Sequence, residues 1–276
     1  SIKKVWDDAD DQDGIRPDSI KVTLSNETEV TLSEENKWTA TVQGLPRYAD
    51  GEEIVYTWSE ENVEGYTLVS NETNGLLTTI TNKHTPATVE ASIKKVWDDA
   101  SNQDGIRPDS INVTLSNGTK VTLSEENKWT ATVTDLPKYA EGKEIAYSWS
   151  EESVEGYTLV STTTEGTLTT ITNKHTPEVM SITVNKTWDD ANNQDGKRPE
   201  SITVNLFANG EKVDTVVIRA DETGAWTYVF ENLPKYAAGN EITYTITEDV
   251  VDGYTTAIEG FGITNTYTPE KVNVSI

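Results

Sequence analysis

The chain has 276 residues, with 22 Lys+Arg against 47 Asp+Glu and a formal net charge of −25 at pH 7. So acidic a surface repels phosphate backbones, which all but rules out nucleic-acid binding, and it repels anionic headgroups too; no apolar run approaches the roughly 18 residues of a membrane helix. The absence of cysteine excludes disulfides and thiolate chemistry, and with only two histidines, His84 and His175, a His-rich metal site or a catalytic triad is hard to build.

An internal repeat organises everything else. "KKVWDDADDQDGIRPDSI" at 3–20 returns as "KKVWDDASNQDGIRPDSI" at 94–111 and, more loosely, as "NKTWDDANNQDGKRPESI" at 185–202. "TNKHTP" occurs at 81–86 and 172–177, with "TNTYTP" at 264–269. Three domains follow, at 1–87, 88–178 and 179–270, with a tail at 271–276. The joints are short and carry Pro86 or Pro177, which limits their swing.

Taken in chain order, the first repeat predicts seven short strands, roughly at 2–6, 19–25, 29–33, 38–43, 53–60, 66–70 and 77–84. Asp13-Gly14, Leu45-Pro46, Asp50-Gly51 and Asn74-Gly75 mark turns between them. Seven such strands fit an all-β chain of antiparallel β-sandwiches. The opening Ser1-Ile2-Lys3-Lys4 has no signal-like apolar core, so a signal peptide and an anchor are expected outside this segment.

Strand parity singles out three polar residues per repeat, because side chains i, i+2 and i+4 share a face. In the third repeat Lys186 falls on the apolar face of Ile182, Val184 and Trp188; Lys4 and Lys95 fall likewise in the first and second. Glu60, Glu151 and Glu248 share a face with Trp58, Trp149 and Ile246. Asn82, Asn173 and Asn265 share one with Ile80, Ile171 and Ile263. Each alone has an ordinary explanation: a snorkelling lysine, a rim carboxylate, an amide bonding a turn. Together on the core parity, they bury groups whose unpaired burial costs several kcal/mol.

Those three types combine into one chemistry. Burial lowers a lysine's pKa and raises a carboxyl's. A neutral amine is a nucleophile, and a protonated carboxyl polarises an amide carbonyl and shuttles protons. Attack on the Asn carboxamide releases ammonia and leaves an amide between the side chains, welding the first strand to the last.

The motifs "TVNKTWDD", "WTYVFENLPKY", "YTITEDVVDGY" and "ITNTYTP" resemble the Cna B-type (collagen-adhesin B-repeat) domains of Gram-positive surface proteins, three times over. The resemblance implies prealbumin-like, inverse-immunoglobulin β-sandwiches with self-formed isopeptide bonds. These would be Lys4–Asn82 with Glu60 as the catalytic acid, Lys95–Asn173 with Glu151, and Lys186–Asn265 with Glu248. It further implies stalk repeats of an extracellular, cell-wall-anchored adhesin. Their partners would be neighbouring repeats and a distal adhesin domain, and the chain is expected to be monomeric. A host-matrix-binding module and a pilus shaft subunit are the alternatives. A turnover enzyme is not expected, nor is any cofactor or metal. The Asp-rich loop 7–14 invites calcium, but its spacing does not fit an EF-hand and reads as a solvated turn held by Asp side chains. His84 and His175 read as strand-end packing.

Overall fold

A computed structural model describes every residue except Ser275. Among the described residues the elements are strands and turns, apart from a 3-10 turn at Glu34–Asn36. In the first repeat one sheet orders Thr39–Ala40, Ile2–Asp7, Leu77–Lys83 and Thr67–Asn74; the other orders Glu29–Ser33, Ser19–Leu24 and Trp58–Glu60. The first and last strands are neighbours and run parallel, from Ile2 opposite Thr78 to Asp7 opposite Lys83.

The third repeat is built the same way. Trp226–Pro234, Val179–Asp189, Gly262–Thr266 and Thr255–Glu259 form one sheet; Glu211–Ile218, Ile202–Ala208 and Tyr244–Glu248 form the other. In the second repeat Thr88–Asp98 pairs antiparallel with Thr130–Pro137, and Ser110–Leu115 with Trp149–Glu151. By compactness the chain divides into two units: Ser1–Lys94 with Asn112–Glu151 and Thr163–Thr169, and Lys95–Ile111 with Glu152–Thr162 and Thr170–Ile276. The division runs through the second repeat.

Strand alternation fills each core. Ile2, Val22, Leu32 and Ile80 are fully covered in the first repeat, and Val184, Val204 and Leu206 in the third. Each such side chain contributes about 1.5–3 kcal/mol through apolar burial. Tryptophans close the sandwich: Trp6 meets Trp38 and Tyr66 edge-on at 5.1 and 4.8 Å, and Trp188 meets Trp226 and Tyr254 at 5.2 and 5.0 Å.

Two predicted strands are shorter than expected, and their partners explain why. The strand expected at 38–43 is only Thr39–Ala40, because its pairing ends at Ile2 opposite Ala40. In the later repeats residues ahead of the equivalent position continue the ladder, Val89 opposite Leu136 and Met180 opposite Leu233. The strands there run through Thr130–Pro137 and Trp226–Pro234. The strand expected at 53–60 is Trp58–Glu60, because its partner ends at Leu24, opposite Trp58. In the third repeat the partner reaches Ala208, and the strand accordingly begins opposite it at Tyr244. Glu52–Glu53 instead pairs with Tyr48–Ala49 in a small separate hairpin.

Leu32→Ala is expected to destabilise the first repeat by about 2–5 kcal/mol. Val55→Ala, at a position 79% exposed, should change stability by no more than about 0.5 kcal/mol. Urea midpoints of the two variants check the contrast.

Candidate functional site

The inward parity of the first strand carries Lys4 into the space between the sheets, where its side chain is 0% exposed. Glu60 reaches in from the facing sheet, and Lys4 Nζ donates to Glu60 Oε2 at 2.7 Å. In the third repeat Lys186 Nζ donates to Glu248 Oε1 at 2.7 Å, with both side chains fully covered. The other carboxylate oxygen, Oε2, accepts from Thr256 Oγ1 at 2.9 Å. A tryptophan two residues on roofs each amine: Nζ lies 4.7 Å from the Trp6 ring centroid and 4.5 Å from that of Trp188.

Register supplies the third group. Lys4 lies opposite Ile80 and Trp6 opposite Asn82, so Lys4 and Asn82 are offset by two positions on the same face of two adjacent parallel strands. Lys186 and Asn265 stand in the same relation through Ile263 and Trp188. Asn82 and Asn265 are buried, as are Lys95 and Asn173 of the second repeat. Lys95 Nζ repeats the 4.7 Å approach to a tryptophan, Trp97, and Glu151 lies half-buried opposite Val113.

The electrostatics favour a reactive amine. Burial pushes Lys4 and Lys186 below the ordinary lysine value, with the hydrogen bonds to Glu60 and Glu248 opposing it. The carboxamides are poorly satisfied. Neither Oδ1 nor Nδ2 of Asn265 has a hydrogen-bond partner, and Oδ1 of Asn82 and Asn173 has none. An unsatisfied buried polar group costs about 1–3 kcal/mol, so these amides sit where an uncommitted side chain would be unfavourable.

In the Asp-rich loop Asp side chains hold the turn as expected, Asp8 accepting from the Asp11 amide and Asp11 from the Arg16 amide, but one part of the expectation fails. The loop's key carboxylate is not solvated: Asp8 is buried and accepts a fork from Arg16, Nη2 at 2.7 Å and Nε at 2.9 Å. It also accepts from Tyr66 Oη at 2.7 Å and from the Asp11 amide at 3.1 Å. Asp99 with Arg107 and Tyr157, and Asp190 with Arg198 and Tyr254, repeat the clamp. Each clamp caps three consecutive left-handed residues, Ala9, Asp10 and Asp11 in the first repeat, with φ of 51°, 62° and 61°. The Asp/Arg pair recurs eight residues apart in every repeat, and that spacing is the signal that could have revealed it. Among the described residues no cluster of three or more His, Cys, Asp or Glu is arranged to hold a metal ion.

His84 has a definite role beyond packing. Its Nε2 lies 2.9 Å from Asp13 Oδ2 and its Nδ1 2.9 Å from the Gly65 carbonyl oxygen. Both partners only accept, so both ring nitrogens donate when the ring is charged. His175 is held identically by Asp104 and Gly156. In the third repeat Tyr267 Oη donates to Asp195 instead, at 3.1 Å.

A family model for the Cna protein B-type domain matches residues 1–83, 91–174 and 182–266. The chain belongs to the Cna B-type domain family. It is 45% identical over 287 residues to a collagen adhesin of Staphylococcus aureus, a match covering all of this chain and 24% of that protein. It thus spans about a quarter of that curated relative. A crystal structure of two B repeat units of the S. aureus collagen binding protein matches at 44% identity and a TM-score of 0.63, over 97% of this chain and 73% of that one. A single B repeat unit of the same protein matches at 41% identity and a TM-score of 0.32, over 66% of this chain and all of that one. The relatives are a collagen adhesin and the B repeat units of a collagen binding protein. The chain is therefore three tandem B-type repeats of all-β sandwich fold, and no helix among its described residues is long and apolar enough to cross a membrane.

The two kinds of clamp in these B-type repeats respond to pH with opposite sign. Burial opposes ionisation of Asp8 and Asp99, but bonds from arginine, tyrosine and a backbone amide outweigh it and hold both below the ordinary value. Arg198 is the main cause that takes Asp190 down to about 2. Their stabilisation is present above the unfolded carboxyl value of about 4 and is lost as pH falls through the folded values. His84 and His175 are raised, chiefly by the bonds to Asp13 and Asp104. Their contribution is full below the unfolded value of about 6.5 and is lost as pH rises through the folded values. Melting curves against pH should show both losses. His84→Gln with His175→Gln should remove the alkaline one and leave the share of the acid one that Asp8, Asp99 and Asp190 carry, since, against burial that raises them, Asp13 and Asp104 are held low chiefly by the two histidines. Asp8→Ala, which strips acceptors from Arg16 and Tyr66, should cost about 1–3 kcal/mol at pH 7.

Proposed function

We propose that the chain is a stalk segment of an extracellular, cell-wall-anchored adhesin, in which each repeat is welded by an intramolecular isopeptide bond. The bonds are Lys4–Asn82, Lys95–Asn173 and Lys186–Asn265, with Glu60, Glu151 and Glu248 as the catalytic acids. The observation that carries this reading is the buried Lys186–Glu248 contact of 2.7 Å beside the unpartnered carboxamide of Asn265. The ammonium passes a proton to the carboxylate along that hydrogen bond, leaving a neutral amine and a carboxylic acid. The acid then polarises the Asn carbonyl while Nζ attacks Cγ. Nδ2 takes the acid's proton and leaves as ammonia as the Cγ–Nδ2 bond breaks, the carboxylate so regenerated takes the second proton from Nζ, and a secondary amide remains beside a carboxylic acid. The fold supplies proximity, which makes the step effectively unimolecular.

Such a bond joins the parallel first and last strands, so tension applied at the two ends of a repeat passes through the weld instead of the fold. Treated like a disulfide closing the same loop from residue 4 to residue 82, it would add about 4–5 kcal/mol. Unlike a disulfide it cannot be reduced, which suits an exposed cell surface. The distal part of the parent protein would carry ligand binding. The burial of Trp38, Trp58, Trp129, Trp149 and Trp226 favours this over a host-matrix-binding surface on the repeats themselves.

Intact-mass spectrometry of the folded chain is expected to show three ammonias missing, and Glu248→Gln should restore one. A protein of full mass overturns the proposed weld.

A further inference from the structure

Each of the two fully described Lys–Glu–Asn sites holds a buried donor and a buried acceptor that nothing satisfies. The indole N–H groups of Trp6 and Trp188 are shielded from solvent and have no hydrogen-bond partner among the described residues, and Oδ1 of Asn82 and Asn265 is in the same condition. The strand ladder sets them side by side. Trp6 stands opposite Asn82, and Trp188 opposite Asn265, on adjacent parallel strands, where partners project to the same face. The same indole ring lies against the nucleophile, its centroid 4.7 Å from Lys4 Nζ and 4.5 Å from Lys186 Nζ. Amine, carboxamide and indole thus meet at one corner of the core. An idle indole is not the rule here: Trp38 Nε1 donates to Glu34 Oε2 at 2.8 Å.

The third repeat shows that the position asks for an indole. It has Ile246 where the first two have Trp58 and Trp149, and Tyr267 where they have His84 and His175, yet it keeps a tryptophan at 188, as at 6 and 97. A roof over the amine needs only an apolar ring, which phenylalanine would supply.

The chemistry calls for such a donor. As Nζ attacks Cγ, the electron pair of the carbonyl moves onto Oδ1, which becomes an oxyanion. The glutamic acid has one proton. That proton must pass to Nδ2 for ammonia to leave, and from then on it no longer serves the oxygen. Thr256, the other group on Glu248, donates to the carboxyl and not to the amide. An indole N–H is a donor only, so it can hold the oxyanion without entering the proton transfers. When the pair returns and the Cγ–Nδ2 bond breaks, the same N–H remains on the oxygen of the new amide.

Resting on the weld proposed above, we infer that the indole N–H of Trp6 and of Trp188 is the oxyanion donor of the reaction, aimed at Oδ1 of the asparagine opposite as Cγ becomes tetrahedral.

Cell-free synthesis of the full chain, arrested and then followed by intact mass and by mapping of the cross-linked peptides, tests this. The unaltered chain is expected to lose three ammonias. Trp188→Phe keeps an aromatic roof without the N–H, and should slow formation of the Lys186–Asn265 bond by about 100-fold. The bonds of the first two repeats, in the same molecule, should keep their original rate. Replacement of Trp188 by its benzothiophene analogue, with sulfur in place of the N–H, preserves the shape of the ring and should be as slow as phenylalanine. An unslowed Lys186–Asn265 bond in either variant overturns the inference and leaves the weld standing. An unaltered chain of full mass overturns both.

Discussion

The hydrogen bond from a buried lysine to a glutamate on the opposite sheet organises each repeat whose site is described in full. It is a short polar contact across a largely apolar sandwich, and Lys4–Glu60 and Lys186–Glu248 share the same 2.7 Å length. Removing either partner would leave a charge in a medium that cannot solvate it. The pair also ties the two sheets at one level, which fixes how the parallel first and last strands are presented and where the asparagine must fall. Tryptophan placement follows from this: Trp6 and Trp188 cover the amine on one side and pack against the clamp tyrosines on the other.

Around that centre the repeat is closed by contacts distant in sequence. Tyr66 and Asp8 are 58 residues apart, and His84 and Asp13 are 71 apart. A 90-residue sandwich without disulfides has a modest core, and these polar closures pin loops that apolar burial does not reach. Because Asp13 accepts both from His84 and from the Ala87 amide, the closure of one repeat also sets where the chain departs for the next.

Much of this was legible in the residues. The repeat period, the all-β fold and the inward face of Lys4, Glu60 and Asn82 all follow from periodicity, because alternation on a strand is a local property. Strand ends were less legible, because they depend on how far a partner extends. Thr39–Ala40 stops where Ile2 stops, and Trp58–Glu60 begins where Leu24 ends. The burial of Asp8 was hidden for a related reason. A carboxylate in an Asp-rich turn looks solvated until Arg16 and Tyr66 fold over it, and nothing within the turn announces the tyrosine.

The left-handed turn that begins each loop has a consequence of its own. Three successive non-glycine residues with positive φ are unfavourable by roughly 1–2 kcal/mol apiece, and glycine would relieve the cost, yet Ala9, Asp10 and Asp11 stand there. The chain leaves this turn directly into Gln12, Asp13 and Gly14, the three residues that grip the following repeat. The coil is thus wound inside one repeat and latched by Asp8, while its free end is the hinge plate for the next. How rigidly neighbouring repeats are held is therefore decided by a latch that neither of the touching surfaces contains.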